Sequence, residues 1–112
     1  MCTGNQALEI LKKSYHKAAE LYGGVNDAFL YGSYARGDYG AESDVDILFS
    51  VPLTAEEIAE KRMEMAKITS ELSLEYDITV SVTVKPFERF EKYKTILPYY
   101  RNVVSEGIRY AG

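Results

Sequence analysis

Apolar residues recur along the chain with two periods, and the changes of period divide it into predicted helices and strands. Thr3 and Gln6 form a capping box that predicts the start of a helix. The apolar positions of this helix are Leu8, Leu11, Tyr15, Ala18 and Tyr22. Gly23-Gly24 ends it, because glycine readily takes the left-handed conformation found after helices. A short strand is predicted at 28–31, and a short helix at 34–38.

The next strand is predicted at 45–51, where successive residues point to opposite faces. One face carries Val45, Ile47 and Phe49, and the other carries Asp44, Asp46 and Leu48. A second capping box, formed by Thr54 and Glu57, then predicts a helix. The apolar positions of that helix are Ile58, Met65, Ile68 and Leu72.

The last strand is predicted at 77–84 and has the clearest alternation of apolar and polar residues in the chain. Residues 87–107 are predicted to be helical, with a break at Pro98. Helices and strands therefore follow one another throughout. This order predicts an α/β or α+β fold, in which helices cover a small sheet.

Composition and charge are those of an ordinary globular protein, and the 112 residues match the size of one domain. The formal net charge of −4 does not favour a broad basic surface for nucleic acid. No apolar run approaches the roughly 20 residues that span a bilayer, and the N-terminus lacks the features of a signal peptide. Cys2 is the single cysteine, which excludes an internal disulfide. A single cytoplasmic domain without membrane contact is predicted.

Gly32-Ser33 lies where an apolar strand ends and a helix begins, which favours the binding of an anion. Glycine lets a phosphate approach the backbone, and the helix start offers amide groups and a partial positive charge. The Ser33 hydroxyl adds a hydrogen bond, and Arg36, one turn further on, is a candidate phosphate ligand. Taken alone, the same pattern is more typical of a serine that merely caps a helix.

Three aspartates are candidate metal ligands. Asp44 and Asp46 lie two residues apart on a strand, so their carboxylates project from the same face and favour a bound cation such as Mg²⁺. Asp77, at the start of the next predicted strand, completes a set of three if the polar faces align. Three carboxylates can hold two ions, and Asp77 is then a candidate to activate an acceptor hydroxyl. The alternatives are two solvated aspartates and an aspartate that binds nearby backbone amides.

Gly32-Ser33, ten intervening residues and Asp44-Val45-Asp46 resemble the signature of the nucleotidyltransferase superfamily, which includes DNA polymerase beta and the kanamycin nucleotidyltransferases. The short chain and its ending at 101–108 resemble the minimal branch of that superfamily. The resemblance implies a mixed sheet of the polymerase-beta palm type, with ATP as substrate. It also implies that Gly32, Ser33 and Arg36 hold the triphosphate, while Asp44, Asp46 and Asp77 bind two Mg²⁺ ions.

The minimal branch implies a partner as well, commonly a helical HEPN protein in a toxin–antitoxin pair. The nucleotidyltransferase is the antitoxin in such pairs and transfers AMP to a tyrosine of the toxin. One alternative is a small-molecule transferase of the aminoglycoside-modifying type, which would need a homo-oligomer to build an acceptor pocket. Another is an antitoxin that acts by binding alone, without catalysis.

Two groups of tyrosines leave further alternatives open. Tyr34 and Tyr39 flank the Gly-Ser turn, and packing on the sheet is favoured over stacking on a nucleotide base. Tyr99-Tyr100-Arg101 has the aromatic and cationic composition that is enriched at protein interfaces. A helix that packs its tyrosines against the sheet explains the second group equally well.

Overall fold

A mixed four-stranded sheet with helices on both faces forms the described part of the chain. The computed structural model describes residues 3–111, so Cys2 lies outside the described residues. The elements, in order, are α1 (Gly4–Tyr22), β1 (Asp27–Tyr31), α2 (Ser33–Arg36), β2 (Val45–Val51), α3 (Ala55–Glu60), α4 (Arg62–Tyr76), β3 (Val80–Pro86), α5 (Phe87–Tyr93), α6 (Pro98–Glu106) and β4 (Ile108–Arg109). Within residues 3–111, no helix is long and apolar enough to cross a bilayer.

The strand order is β3-β2-β1-β4, which places β2 and β1 at the centre. β1 runs antiparallel to both of its neighbours, β2 and β4. β2 runs parallel to β3, and the α3–α4 connection crosses over between them. Asp46 of β2 pairs with Tyr31 on one side and with Ser81 on the other. The prediction of a mixed sheet covered by helices is confirmed.

Helix α1 begins and ends as predicted. Thr3 Oγ1 accepts a hydrogen bond from the Gln6 backbone N–H at 3.1 Å, and Gln6 Oε1 accepts one from the Thr3 N–H at 2.9 Å. Gly23 follows the helix with a φ of 77°, a left-handed conformation that favours glycine. Leu8 was expected on the buried face but is exposed. The buried positions of α1 are Ala7, Ile10, Leu11, Ser14, Ala18 and Tyr22.

The two faces of the sheet carry cores of different size. The larger core packs one face against α1 and α4, and from the sheet it includes Leu30, Ile47 and Phe49. The smaller core packs the other face against α5 and α6, and its buried members are Phe29, Leu48, Phe90, Tyr100 and Val103. The second face is covered only in part, since Asp44 and Ser81 at the start of β2 and β3 are exposed.

Three further details differ from the sequence-based expectations. The helix predicted after Thr54 is two helices, because the backbone breaks at Lys61 with φ −102° and ψ 8°. Strand β3 begins at Val80 and not at Asp77. The two-residue strand β4 was not predicted, since two residues are too few to show a period.

Candidate functional site

Gly32 joins the end of β1 to α2 and lies directly against a carboxylate. Its backbone has φ 76° and ψ −156°, which side chains of L-amino acids rarely adopt. A Cβ added to Gly32 would lie 2.6 Å from Asp46 Oδ2, closer than a real contact allows. Glycine is therefore required here twice, for its backbone conformation and for the space that the Asp46 carboxylate occupies.

The short helix α2 follows this turn immediately. The N–H groups of Ala35 and Arg36 both donate to the Gly32 carbonyl at 3.1 Å. These two amides are therefore engaged within the turn. The predicted short helix is confirmed, although it begins at Ser33, one residue earlier than expected, and ends at Arg36. Gly37 ends it with a φ of 84°.

Asp44 and Asp46 share the partly covered face of the sheet, at the beginning of β2. Asp44 is exposed, and Asp46 is half-buried between Tyr31 and Ser81. Burial raises the pKa of Asp46 above its ordinary value, and the negative charge of Asp44 raises it further. The Arg36 guanidinium acts in the opposite direction. Two carboxylates close enough to repel each other form a set of oxygen ligands suited to one hard divalent cation.

Asp77 does not occupy the predicted position. It caps the C-terminus of α4 in a left-handed conformation, φ 51° and ψ 50°, and its N–H donates to the Ser73 carbonyl. The prediction that Asp77 opens a strand is wrong, because the turn from α4 uses the three residues before Val80. Within residues 3–111, no group of three or more acidic, histidine or cysteine side chains could hold a metal ion. The predicted convergence of three carboxylates is therefore not found.

The residue that does lie beside Asp46 on β3 is Ser81. The parallel pairing sets these two residues at the same level of the sheet, so their side chains share a face. Ser81 is exposed. The position from which a third carboxylate would meet Asp44 and Asp46 thus carries a hydroxyl.

The hydroxyl groups of Tyr31, Thr83 and Tyr99 form a cluster on the face of Asp46 that the sequence did not predict. Tyr31 Oη lies 2.7 Å from Tyr99 Oη of α6, and it also bonds to the hydroxyl of Thr83. Burial and the Tyr99 contact raise the pKa of Tyr31, while Thr83 lowers it. Its position directly before Gly32 could have identified Tyr31 as a neighbour of the site. Nothing in the sequence links it to Tyr99, which is 68 residues away.

Two cavities of the described residues lie away from the aspartates. A cavity of about 270 Å³ lies on the opposite face of the sheet, where Tyr22, Met65 and Val82 contribute to its lining. A second, of about 280 Å³, lies at the far end of β2, between Leu53 and Phe87. Neither is lined by Gly32, Ser33, Asp44 or Asp46. The candidate site is open to solvent.

The family model of the nucleotidyltransferase domain matches residues 8–110. The chain belongs to this family. Two proteins of Methanocaldococcus jannaschii are similar to it. "Putative protein adenylyltransferase MJ0604" is 34% identical over 85 residues, which cover 76% of this chain and 77% of that protein. "Putative protein adenylyltransferase MJ0141" is 48% identical over 57 residues, which cover 51% of this chain and 56% of that protein.

A solved structure shares the fold of this nucleotidyltransferase. It is a chain from the crystal structure of a toxin-antitoxin with AMP-PNP, which matches 97% of the present chain and 73% of its own length with a TM-score of 0.58. The sequences are 21% identical, so the match supports the fold alone. The expected nucleotidyltransferase fold is confirmed.

Arg36 of the nucleotidyltransferase is engaged by two carboxylates at the rim of the site. Its Nε donates to Asp38 Oδ2 at 3.2 Å, and its Nη1 lies 3.5 Å from Glu106 Oε2 on α6. All three side chains are substantially exposed, so each pair contributes little to stability. The guanidinium remains close enough to affect Asp46, which keeps Arg36 a candidate phosphate ligand.

The tyrosines flanking the Gly-Ser turn have packing roles. Tyr34 is 5% exposed and belongs to the larger core. Its ring stacks on that of Tyr39, with centroids 4.3 Å apart and planes inclined by 13°. The Tyr39 hydroxyl accepts a hydrogen bond from the Gly4 N–H at 3.2 Å. The favoured interpretation, packing over base stacking, is therefore confirmed for Tyr34.

Proposed function

We propose that the chain is a metal-dependent adenylyltransferase, which transfers AMP from ATP to a hydroxyl group of another protein. The single observation that carries this proposal is the contact between Gly32 and Asp46. It sets the backbone of the candidate phosphate-binding turn directly against the Asp46 carboxylate, and Asp44 lies two residues before Asp46. A nucleoside triphosphate bound at Gly32 and Ser33 would therefore present its phosphates to Asp44 and Asp46.

We assign one Mg²⁺ ion to Asp44 and Asp46, because two carboxylates plus phosphate oxygens are a sufficient set of hard ligands. When bound, the ion would neutralise negative charge on the phosphates and polarise the phosphorus that is attacked. A second ion is not included in the proposal, since Ser81 and not a carboxylate lies beside Asp46.

The acceptor hydroxyl oxygen attacks the α-phosphorus of ATP and forms an oxygen–phosphorus bond. The bond from that phosphorus to the oxygen bridging to the β-phosphate breaks, pyrophosphate leaves with the bridging oxygen, and the hydroxyl proton goes to solvent water. The positive charge that faces the phosphates would come from the Arg36 guanidinium, and the Ser33 hydroxyl would donate a hydrogen bond to them. The positioning of these groups by β1, α2 and β2 is the main contribution of the protein to this reaction.

The open site favours a protein as acceptor. A small molecule needs a concave pocket that buries most of its surface, whereas Asp44 and Ser81 on the face of Asp46 are exposed. A protein can supply its own surroundings to the hydroxyl that reacts. The similarity to two proteins named as adenylyltransferases of proteins supports the same choice. We propose a tyrosine of a helical HEPN-type toxin as the acceptor, with this chain as the antitoxin.

The experiment is intact-mass spectrometry of the chain with ATP and Mg²⁺, in the presence of the protein encoded beside it. We expect the second protein to gain the mass of one AMP, and we expect Asp44→Asn to abolish the gain. Lys12→Gln, on an exposed position of α1, is the control that should retain it. An unmodified second protein that nevertheless forms a complex with the chain would refute the proposal.

A second candidate function is neutralisation by binding alone. It is favoured because, among residues 3–111, no third carboxylate joins Asp44 and Asp46 in a group that could hold a metal ion. It predicts that the double variant Asp44→Asn with Asp46→Asn still neutralises the partner in a growth assay. The transferase proposal predicts that this variant fails, even though it still binds.

A further inference from the structure

Helix α6 runs along the open side of the candidate site and contacts it at both ends. At its first turn, Tyr99 Oη lies 2.7 Å from Tyr31 Oη, and the two rings meet edge to face with centroids 5.8 Å apart. At its last turn, Glu106 lies 3.5 Å from the Arg36 guanidinium. One face of α6 therefore borders the site from Tyr31 to Arg36.

Tyr31 connects Tyr99 to the carboxylates. It directly precedes Gly32 in the chain and pairs with Asp46 across the β1–β2 ladder. Because residues directly opposite each other on neighbouring strands project from the same face, the Tyr31 and Asp46 side chains are neighbours on the sheet. Because Tyr99 Oη lies 2.7 Å from Tyr31 Oη, the Tyr99 hydroxyl is one hydrogen bond away from the side chain opposite Asp46 on the sheet.

Tyr99 is held at this position without being buried. It is 42% exposed, whereas the next residue, Tyr100, is 4% exposed and packs on Phe90 in the smaller core. The preceding residues are also exposed, including Ile96 at 63%. A phenol group that is accessible and hydrogen-bonded to the residue paired with Asp46 has the properties of an acceptor for group transfer.

We propose that Tyr99 is a site of self-adenylylation, at which the chain transfers AMP from ATP to its own phenol oxygen. This inference rests on the proposed transferase function. The Tyr99 Oη–phosphorus bond forms at the α-phosphate, and the bond between that phosphorus and the oxygen bridging to the β-phosphate breaks. Pyrophosphate leaves with the bridging oxygen and its electron pair, and the phenol proton goes to solvent water.

The modification has a consequence for the site. The new phosphodiester removes the hydroxyl hydrogen that Tyr99 can share with Tyr31, and it leaves an AMP group beside Asp46. A modified chain therefore blocks its own site to another acceptor. Self-adenylylation thereby competes with transfer to a second protein.

The test is intact-mass spectrometry of the chain alone after incubation with ATP and Mg²⁺, followed by tandem mass spectrometry of its peptides. We expect the gain of one AMP on the peptide that contains Tyr99. Tyr99→Phe should lose this gain completely, and so should Asp46→Asn. Tyr110→Phe is the matched control that should retain it, since Tyr110 packs against Tyr15 of α1 in the larger core.

A parallel incubation with the protein encoded beside the chain separates the two proposals. AMP on that protein but none on Tyr99, or AMP on a different tyrosine of the chain, overturns the inference and leaves the transferase function standing. AMP on neither protein, when AMP-PNP with Mg²⁺ still raises the melting temperature of the chain, overturns both. The Tyr99→Phe variant should still transfer AMP to the second protein. That result would show that the variant lacks only the acceptor hydroxyl at residue 99 and not the transferase activity.

Discussion

Strands β2 and β3 lie side by side, run parallel and have seven residues each, yet they differ strongly in burial. In β2 every residue except Asp46 is buried, and in β3 only Val80 is buried. The sequence of β3 nevertheless alternates more regularly than that of β2. The reason is position in the sheet, because β2 lies between two strands and β3 forms an edge. The alternation of apolar and polar residues indicates which side chains share a face of the sheet. The neighbouring strands and helices determine how much of that face is buried.

The aspartates of the two regions also differ in their surroundings. Asp46 lies between Tyr31 and Ser81 in the sheet, and its carboxylate lies against the Gly32 backbone. The aspartate nearest to β3 in the sequence, Asp77, belongs to the helix cap that precedes the strand. An aspartate at the start of a strand in the sequence can therefore have either a functional or a local structural role.

The largest expected difference is in catalysis. It compares the change of aspartate to asparagine at residue 46, within β2, with the same change at residue 77, before β3. Asp46→Asn should lower the rate of AMP transfer by at least about a hundredfold, because a metal ligand contributes several kcal/mol and each 1.36 kcal/mol is a factor of ten. Asp77→Asn should change the rate by less than about twofold. Initial rates of AMP incorporation, with both variants shown to be folded by circular dichroism, measure the difference. A large loss in Asp77→Asn would mean that this side chain does act at the site.

A second difference is expected in stability. Ile47→Ala in β2 leaves a cavity in the larger core and should lower the free energy of unfolding by about 3 kcal/mol. Val82→Ala in β3 removes a half-buried side chain on the same face and should cost about 1 kcal/mol or less. Urea unfolding of the two variants provides the comparison. Equal losses would show that the edge strand is covered more fully than its exposure indicates.

A third prediction adds the missing carboxylate to β3. Ser81→Asp should place a third carboxylate on the face of Asp46 and raise the affinity for Mg²⁺ about tenfold, because an additional anionic oxygen ligand strengthens the site. Isothermal titration calorimetry measures the affinity. Ser81→Asn is the matched control, since it adds a similar side chain without the charge. An unchanged affinity in Ser81→Asp would contradict the register that pairs residues 46 and 81.

The smallest effect is expected at the helix cap. Asp77 holds φ 51°, where an L-amino acid is strained and glycine is not, so Asp77→Gly should stabilise the chain by about 0.5 kcal/mol. Thermal unfolding measures the change, and Asp77→Ala, which keeps the strain, should be no more stable than the parent chain. A loss of stability in Asp77→Gly would indicate that the carboxylate makes a stabilising contact.

Local signals predicted the elements that depend on local chemistry. The capping box at Thr3 and the glycine after α1 involve residues within a few positions of one another, and both are confirmed. The predicted division of β2 between two faces is confirmed as well, since Ile47 and Phe49 belong to the larger core and Leu48 to the smaller one. The break at Lys61 was not predicted, because the residues around it favour a helix on both sides. Strand β4 forms only because β1 offers it an edge.

The same division applies to the candidate site. Gly32 and Asp46 could be singled out because both belong to one short motif, and the fold brings them into contact. The predicted role of Asp77 required that β3 begin three residues earlier than it does. Tyr99 could not be assigned to the site, since its contact with Tyr31 depends on how α6 returns across the sheet.

The amino-acid sequence alone determined the family motif, the order of the main elements and which residues share each strand face. These properties follow from backbone geometry and from the spacing of apolar residues, which act over a few positions. Only the tertiary structure decided that Asp77 caps a helix, that Ser81 lies beside Asp46 and that Tyr99 meets Tyr31. Those relations depend on strand register and on the packing of helices against the sheet, which join residues far apart in the chain.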